Sequence, residues 1–325
     1  MQTALGGAAT VAVLACVALM GFAIQRGGTC TVAAVEEFVQ QRGTRRLRAM
    51  GEAALWVAGG LALAQAAGWT AVMPAAQPVS AATVAGAVLL GAGAWLNGAC
   101  VFGAIARLGS GQWAQAAVPL GFYLGCLGLG AVLPAPAAPM PSHAGGLPAA
   151  PLAAAFVLFA LWRLVRGVWG LRDGALRALP ARVWAPHAAT TVIGICFLLS
   201  WLIAGAWAYT DLLAALARRM AASSTLPLAL LAALLGGAVL GGWTAGRLQP
   251  AWPTPAQWLR SLAGGALMAV GSLLIPGSND GLLLVGLPLL HAHAWLALAV
   301  MVLTIAAAMR LSRRQRLPAL GKEAP

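Results

Sequence analysis

Apolar runs of about 20 residues recur along this chain from one end to the other, and that recurrence limits what it can fold into. A hydrocarbon core about 30 Å thick is crossed by about 20 helical residues. Within lipid a spanning segment must satisfy its own backbone hydrogen bonds, which leaves helices or closed barrels. Runs this long and this continuously apolar are helices. Of all residues, 61% are hydrophobic and 8% are charged, against about a quarter charged in a soluble domain. No charge-rich block is long enough to fold as a soluble catalytic domain. The fold class is therefore all-α: a polytopic membrane protein, one transmembrane domain over residues 1–325.

Hydropathy places about nine spanning helices, at 3–25, 50–72, 82–98, 113–133, 150–166, 188–208, 226–246, 258–276 and 292–310. Proline- and glycine-rich or polar segments separate them, including the charge-free stretch 134–151. The first segment lacks a positive region before it, so it reads as a retained helix rather than a cleaved signal. The net charge of +13 does not form a nucleic-acid docking face. The arginines sit in short connections: the 42–48 cluster, Arg107, the 163–182 loop, Arg247, Arg260 and the tail from Arg310. Under the positive-inside rule these connections are cytoplasmic, which puts the N-terminus outside and the C-terminus in the cytoplasm of a bacterial inner (plasma) membrane. Arg218 and Arg219 depart from that pattern.

Four predicted helices end in the same unusual way. The first runs into Gly27-Gly28-Thr29-Cys30, and the third into Asn97-Gly98-Ala99-Cys100. The sixth passes through Gly205 and Trp207 to Thr210, and the eighth ends in Pro276-Gly277-Ser278-Asn279-Asp280. Each break is followed by a short further stretch. Glycine frees the backbone to turn and proline breaks the helix ladder. Such breaks survive at membrane depth only inside protein or beside a water-filled cavity. The first and third helices run inward while the sixth and eighth run outward. That pattern predicts two inverted repeats, about 1–133 and 188–310, joined by the helix at about 150–166, with short re-entrant or broken helices near the midplane.

The first amides of a helix lack internal partners, and the helix dipole adds about half a positive charge there. Four short helices presenting their N-termini to a common centre would hold an anion without a fixed lysine or arginine. The candidate substrate-binding residues are Cys30, Cys100, Ser278, Gly28, Gly98, Asn97, Gly277, Asn279 and Thr210. Thiols are polarizable, weak hydrogen-bond donors, suited to a soft sulfur atom. Cys16, Cys126 and Cys196 read as small core residues. Asp280 would oppose an anion and is left outside the core site; His291 and His293 flank the last helix near the outer surface; Glu36 and Glu37 are placed to pair with Arg42 or Arg26. No cysteine or histidine spacing indicates a metal site, and no P-loop or intramembrane carboxylate chain indicates a coupled cofactor or proton path. No cofactor is expected.

The segment GFAIQRGGTCTVAAVEEF (21–38) resembles the first cysteine motif of the YeeE/YedE family of thiosulfate-permease-like membrane proteins. LGAGAWLNGACVFGAIARLGSGQW (90–113) is similar to the second motif, and GGALMAVGSLLIPGSNDGLL (264–283) to the third. The resemblance implies an hourglass of inverted helical repeats that passes thiosulfate between cysteines, here Cys30 and Cys100, by S–H contacts. Where the family's third motif commonly has a cysteine, this chain has Ser278. The implied partners are a small sulfur-containing anion and the lipid bilayer. The leading reading is a non-enzymatic permease. Two others stand beside it: a membrane sulfurtransferase or persulfide relay using Cys30 or Cys100, with Arg26 the nearest activating group, and a membrane subunit docking a cytoplasmic sulfur-carrier protein through the 163–182 loop.

Overall fold

A computed structural model describes residues 6–69, 71–130, 138–172, 183–218 and 225–316. Arg219, residues 173–182 of the arginine-rich loop and the tail beyond 316 lie outside the described residues. The described residues form an all-helical bundle. Its helices are α1 (Gly7–Gly27), α2 (Thr31–Gln41), α3 (Arg45–Ala66), α4 (Ala81–Asn97), α5 (Val101–Gly109), α6 (Ala117–Leu129), α7 (Ala149–Arg172), α8 (Pro186–Ala204), α9 (Tyr209–Ala217), α10 (Thr225–Thr244), α11 (Pro255–Leu274), α12 (Asn279–Gly281) and α13 (Ala292–Arg316). A π turn over Leu282–Gly286 continues α12.

Nine of these helices fall on the nine predicted spans. Seven described stretches are long and apolar enough to cross a membrane, and α11 with its continuation, bent by 56°, would make an eighth. The ninth, α6, is a shorter apolar helix. The four remaining helices, α2, α5, α9 and α12, are the short stretches after the four predicted breaks. Positive φ at Gly28 (56°), Gly98 (75°) and Gly205 (94°) turns the chain at three of them, a conformation that costs other L-residues steric strain.

The helices pair in a regular way. The contacts α1 with α8 and α4 with α11 join the two halves. Further pairs come in twos: α1 with α10 and α8 with α3, α11 with α6 and α4 with α13, α6 with α9 and α13 with α2. Each pair becomes its companion when α1–α6 are exchanged for α8–α13 in order. Glycines set the closest of these crossings. Where α4 meets α11, Gly86 lies against the Gly271 carbonyl and Gly93 against the Gly264 carbonyl. Gly86 and Gly264, Gly93 and Gly271, and Cys100 and Ser278 are each 178 positions apart (264 − 86, 271 − 93, 278 − 100).

α7 packs mainly on α3, through Trp56 between Phe156 and Phe159 at centroid distances of 5.6 and 5.5 Å. Most of its remaining surface is exposed apolar side chain, as lipid contact requires. Glu52 ties α3, α7 and α8 together: its carboxylate takes Arg163 at 2.6 Å, Thr191 at 3.3 Å and the ring of His187. Glu37 pairs with Arg46 at 3.4 Å and accepts from the Arg45 amide, while Glu36 accepts from Gln40. The expected pairing of these glutamates with Arg42 or Arg26 is therefore replaced by partners one turn away or across the α2–α3 corner.

Candidate functional site

The breaks bring α2, α5, α9 and α12 together at the middle of the bundle, and the first side chains to meet there are cysteines. Cys30 is the N-cap of α2 and Cys100 the N-cap of α5. Their sulfurs stand 3.7 Å apart, with Cys100 placed to donate to Cys30, and Cys100 Sγ accepts the Thr31 amide at 3.2 Å. The Ala33 and Gly103 amides approach the two sulfurs without closing a capping hydrogen bond. Gly103 is required here, since a Cβ at that position would collide with the Cys30 sulfur.

The second half closes on this pair from across the bundle. Ser278 heads α12 and is fully buried. Asn279 donates through Nδ2 to Thr31 Oγ1 at 3.4 Å, linking α12 to the amide that binds Cys100. Cys30, Cys100, Ser278 and Asn279 are thus neighbours although the chain separates them by up to 249 positions (279 − 30). Thr210 meets this group through Asp280 rather than through the thiols. The N-cap of α9 is Ala208, and the Thr210 hydroxyl donates to Asp280 Oδ1 at 2.7 Å. Asn97 and Gly98 also turn away from the thiols. Asn97 binds the Ala99 carbonyl at 2.9 Å and exchanges hydrogen bonds with Gln115, and the Gly98 carbonyl accepts Arg107 at 2.7 Å. These two residues hold the shape of the break rather than its centre.

The short helices share one further property. α4 and α11 begin with complete capping boxes, Ser80 with Thr83 and Thr254 with Gln257. None of α2, α5, α9 and α12 has a side-chain cap. Instead the Thr31 amide at the head of α2 is met by Cys100 Sγ and the Gly281 amide of α12 by Asp280 Oδ1, so the first-turn donors of these short helices turn to side chains at the centre of the protein.

Cavities approach the centre from the two ends of the bundle. One of about 620 Å³ reaches Cys30 and Gly28, with Arg107, Arg247 and Gln249 at its wall. A neighbouring cavity of about 930 Å³ is lined by Asn97, Gly98, Arg107 and Arg260. At the other end a cavity of about 160 Å³ is lined by Trp207, Asp211, Gly277, His291 and His293, with Pro74 from the α3–α4 connection. The 74–75 connection precedes α4 and the 98–112 segment follows it, so a helix of 17 residues separates the two mouths. Cys100 and Ser278 are sealed between them at 0% exposure.

Matching the chain to known families decides its kinship: the sulphur transport model covers residues 26–307. The chain belongs to this YeeE/YedE sulphur transport family. No curated protein matches it. Cys30, Cys100 and Ser278 of this sulphur-transport protein all lie inside the matched region, which takes in the second and third motifs whole and the first from Arg26 onward.

Sequence reasoning missed several residues at the site. Asp280, left outside the core site because its charge would oppose an anion, is buried beside the thiols' partners. His291 and His293, at the start of α13, are buried, stack at 5.3 Å and line the smaller cavity. Trp207 carries a buried indole N–H without a hydrogen-bond partner, facing the smaller cavity. A single carboxylate within an apolar run was the available signal for Asp280; nothing in the sequence singled out the Trp207 donor. Arg26 turns away from Cys30, donating to Thr244 at 2.9 Å and stacking on Phe22 at 4.9 Å. Arg163, counted with the docking loop, is held by Glu52, and Arg166 stacks on Trp162.

Proposed function

We propose that this chain is a permease that carries thiosulfate, or a related small sulfur-containing anion, inward across the plasma membrane through the Cys30–Cys100 contact. It is built as two inverted repeats, about 1–133 and 188–310, joined by the helix at 150–166. The exchange of helix pairs and the constant 178-position offset support that construction. The observation that carries the reading is the cysteine pair: two polarizable sulfurs 3.7 Å apart at the heads of helices without side-chain caps, between cavities that open toward opposite ends.

An anion entering by the smaller cavity meets the Trp207 N–H, then the amides at the breaks, then the thiols. It leaves through the cavity walled by Arg107 and Arg247, which the positive-inside rule places in the cytoplasm. There a cytoplasmic sulfur-carrier protein receives it. Gly28 and Gly277 line the two approaches, and Ser278 and Asn279 complete the centre. Soft sulfur favours S–H contact over harder donors, so thiosulfate is preferred to sulfate. The persulfide-relay alternative asks for a base beside Cys30 or Cys100, and the candidate for that role, Arg26, is engaged with Thr244 and Phe22.

The test is initial uptake of radiolabelled thiosulfate into proteoliposomes, with sulfate as competitor, for the wild type and the Cys30→Ser, Cys100→Ser double variant. Each lost thiol contact is worth about 0.5–1.5 kcal/mol, or roughly 2- to 10-fold. Uptake should fall by about 4- to 100-fold in the double variant. Unchanged uptake and selectivity would remove the thiols from the mechanism.

A further inference from the structure

Two carboxylates are buried among the described residues, Glu52 and Asp280. Glu52 is met by Arg163 and His187. No basic side chain is paired with Asp280 among the described residues. Its Oδ1 accepts two hydrogen bonds, from Thr210 Oγ1 at 2.7 Å and from the Gly281 amide at 3.0 Å. Its Oδ2 is buried with no hydrogen-bond partner. Ser278 lies beside this carboxylate, but its hydroxyl is in a geometry that makes no hydrogen bond. The neighbouring Asn279 Oδ1 is likewise buried and unpartnered.

A desolvated carboxylate oxygen without a donor is costly, and ionisable groups at membrane depth mark ion or proton paths. Both donors fall on Oδ1, so Oδ2 is the oxygen left to take a proton. We infer that the Asp280 carboxylate is a proton-binding site that couples anion transport to proton entry. This rests on the permease reading above.

The coupling follows from charge. Ionised, Asp280 puts a negative charge next to the Asn279–Thr31–Cys100 contact and repels the anion there. Protonated on Oδ2, it is neutral and offers an O–H donor to the same place. Proton and anion therefore favour each other's binding, and the coupling is reciprocal. The step is a simple association, carboxylate plus proton giving carboxylic acid, with no redox partner needed.

The proton reaches Asp280 from the smaller cavity, whose wall includes the Gly281 turn, Asp211, His291 and His293. The titratable groups around Asp280 are those two histidines at the cavity, Tyr209 and Asp211 of α9, and Cys100 and Cys30 at the heads of α5 and α2. The π turn Leu282–Gly286 carries none. Arg260, the charged residue of α11, lines the cavity at the far end.

The experiment uses the purified full-length chain in proteoliposomes with labelled thiosulfate. The membrane potential is clamped with potassium and valinomycin, and accumulation is compared with and without an outside pH about one unit lower. One coupled proton multiplies the steady-state ratio by about ten per unit. The wild type should show that gain, Asp280→Glu should retain it, and Asp280→Asn should show a ratio of about one. Taking each ratio within one variant cancels differences in insertion. As a second readout, the purified wild type in weakly buffered detergent should take up protons on thiosulfate addition over part of a pH series.

A pH-driven gain that survives in Asp280→Asn overturns the inference. So does a gain driven by a sodium gradient and not by pH, or absence of proton uptake at every pH. Thiosulfate transport that ignores the pH gradient sinks the coupling and leaves the permease standing. No thiosulfate transport under any gradient removes the permease reading, and this inference falls with it.

Discussion

The α4–α11 crossing offers a test in which structure and helix propensity predict opposite signs. Replacing glycine by alanine inside a helix ordinarily stabilises it by about 0.5–1 kcal/mol. At Gly264 the new Cβ would stand 2.8 Å from the Gly93 carbonyl oxygen and 2.8 Å from Asn97 Cβ; at Gly271 it would stand 2.5 Å from the Gly86 carbonyl oxygen. These obstacles are mostly backbone and cannot rotate away, so the helices must separate. Overpacking of this kind costs about 1–3 kcal/mol. Net of the propensity gain, Gly264→Ala should lose up to about 2 kcal/mol, and Gly264→Val should lose more.

Gly236 in α10 provides the control, because a Cβ there meets nothing within 4 Å. Gly236→Ala should gain the full propensity term. For a chain of this size about 1 kcal/mol shifts Tm by about 2 °C, so the two alanine variants should melt roughly 2–6 °C apart in detergent. Gly264→Ala should also slow thiosulfate uptake, since Asn97 packed on Gly264 ends α4 three residues before Cys100. Equal or higher Tm for Gly264→Ala than for Gly236→Ala would refute the close crossing on which the geometry of the site depends.

Three other outcomes follow from the same geometry. Ser278→Cys should retain uptake and raise the preference for thiosulfate over sulfate by about 2- to 10-fold, measured by competition. Glu52→Ala strands Arg163 at a partly exposed site and should cost about 1–3 kcal/mol, read as a lower Tm with the sulfate-to-thiosulfate preference unchanged. Single cysteines placed in the 163–182 loop of a cysteine-free background should resist membrane-impermeant label in intact cells, whereas cysteines at 134–151 should react; the reverse would overturn the proposed orientation.

The fold was legible because membrane helices are written in long, local, redundant signals. Nine apolar runs landed on nine helices, and glycine or proline marked each break. Cys30 and Cys100 were legible for the same local reason: each stands two positions after a glycine at the end of a span. What stayed hidden depends on partners distant in sequence. Thr210 reads as a fourth site donor at a break, and only the fold shows that its hydroxyl is bound to Asp280, 70 positions away. Asn97 reads as a polar residue at a break, but Gln115 occupies its side chain. Asp280 was discounted on charge alone, although burial with an unpartnered oxygen is what gives that charge a role.

The two halves share a backbone plan but not its chemistry, and the difference bears on energetics. The positions offset by 178 from Cys30 and Cys100 are Ala208 and Ser278, and the carboxylates Asp211 and Asp280 lie in the second half alone. The arginines of the larger cavity can ease exit of an anion, yet fixed charges alter rates and occupancy without moving an equilibrium. A dianion entering a negative-inside cell works against about 2.3 kcal/mol per charge per 100 mV, hence about 4.6 kcal/mol. Thiols and helix ends explain selectivity but cannot supply that free energy. One proton carried on Asp280 halves the electrical cost, and a second, on Asp211 at the same cavity, would cancel it. The two cases separate by measurement: with one proton the transport of thiosulfate stays electrogenic, and an inside-positive potassium diffusion potential accelerates it; with two it is electroneutral and indifferent to potential. Uptake that a negative-inside potential accelerates would require more than two cations per anion, which these two carboxylates cannot carry.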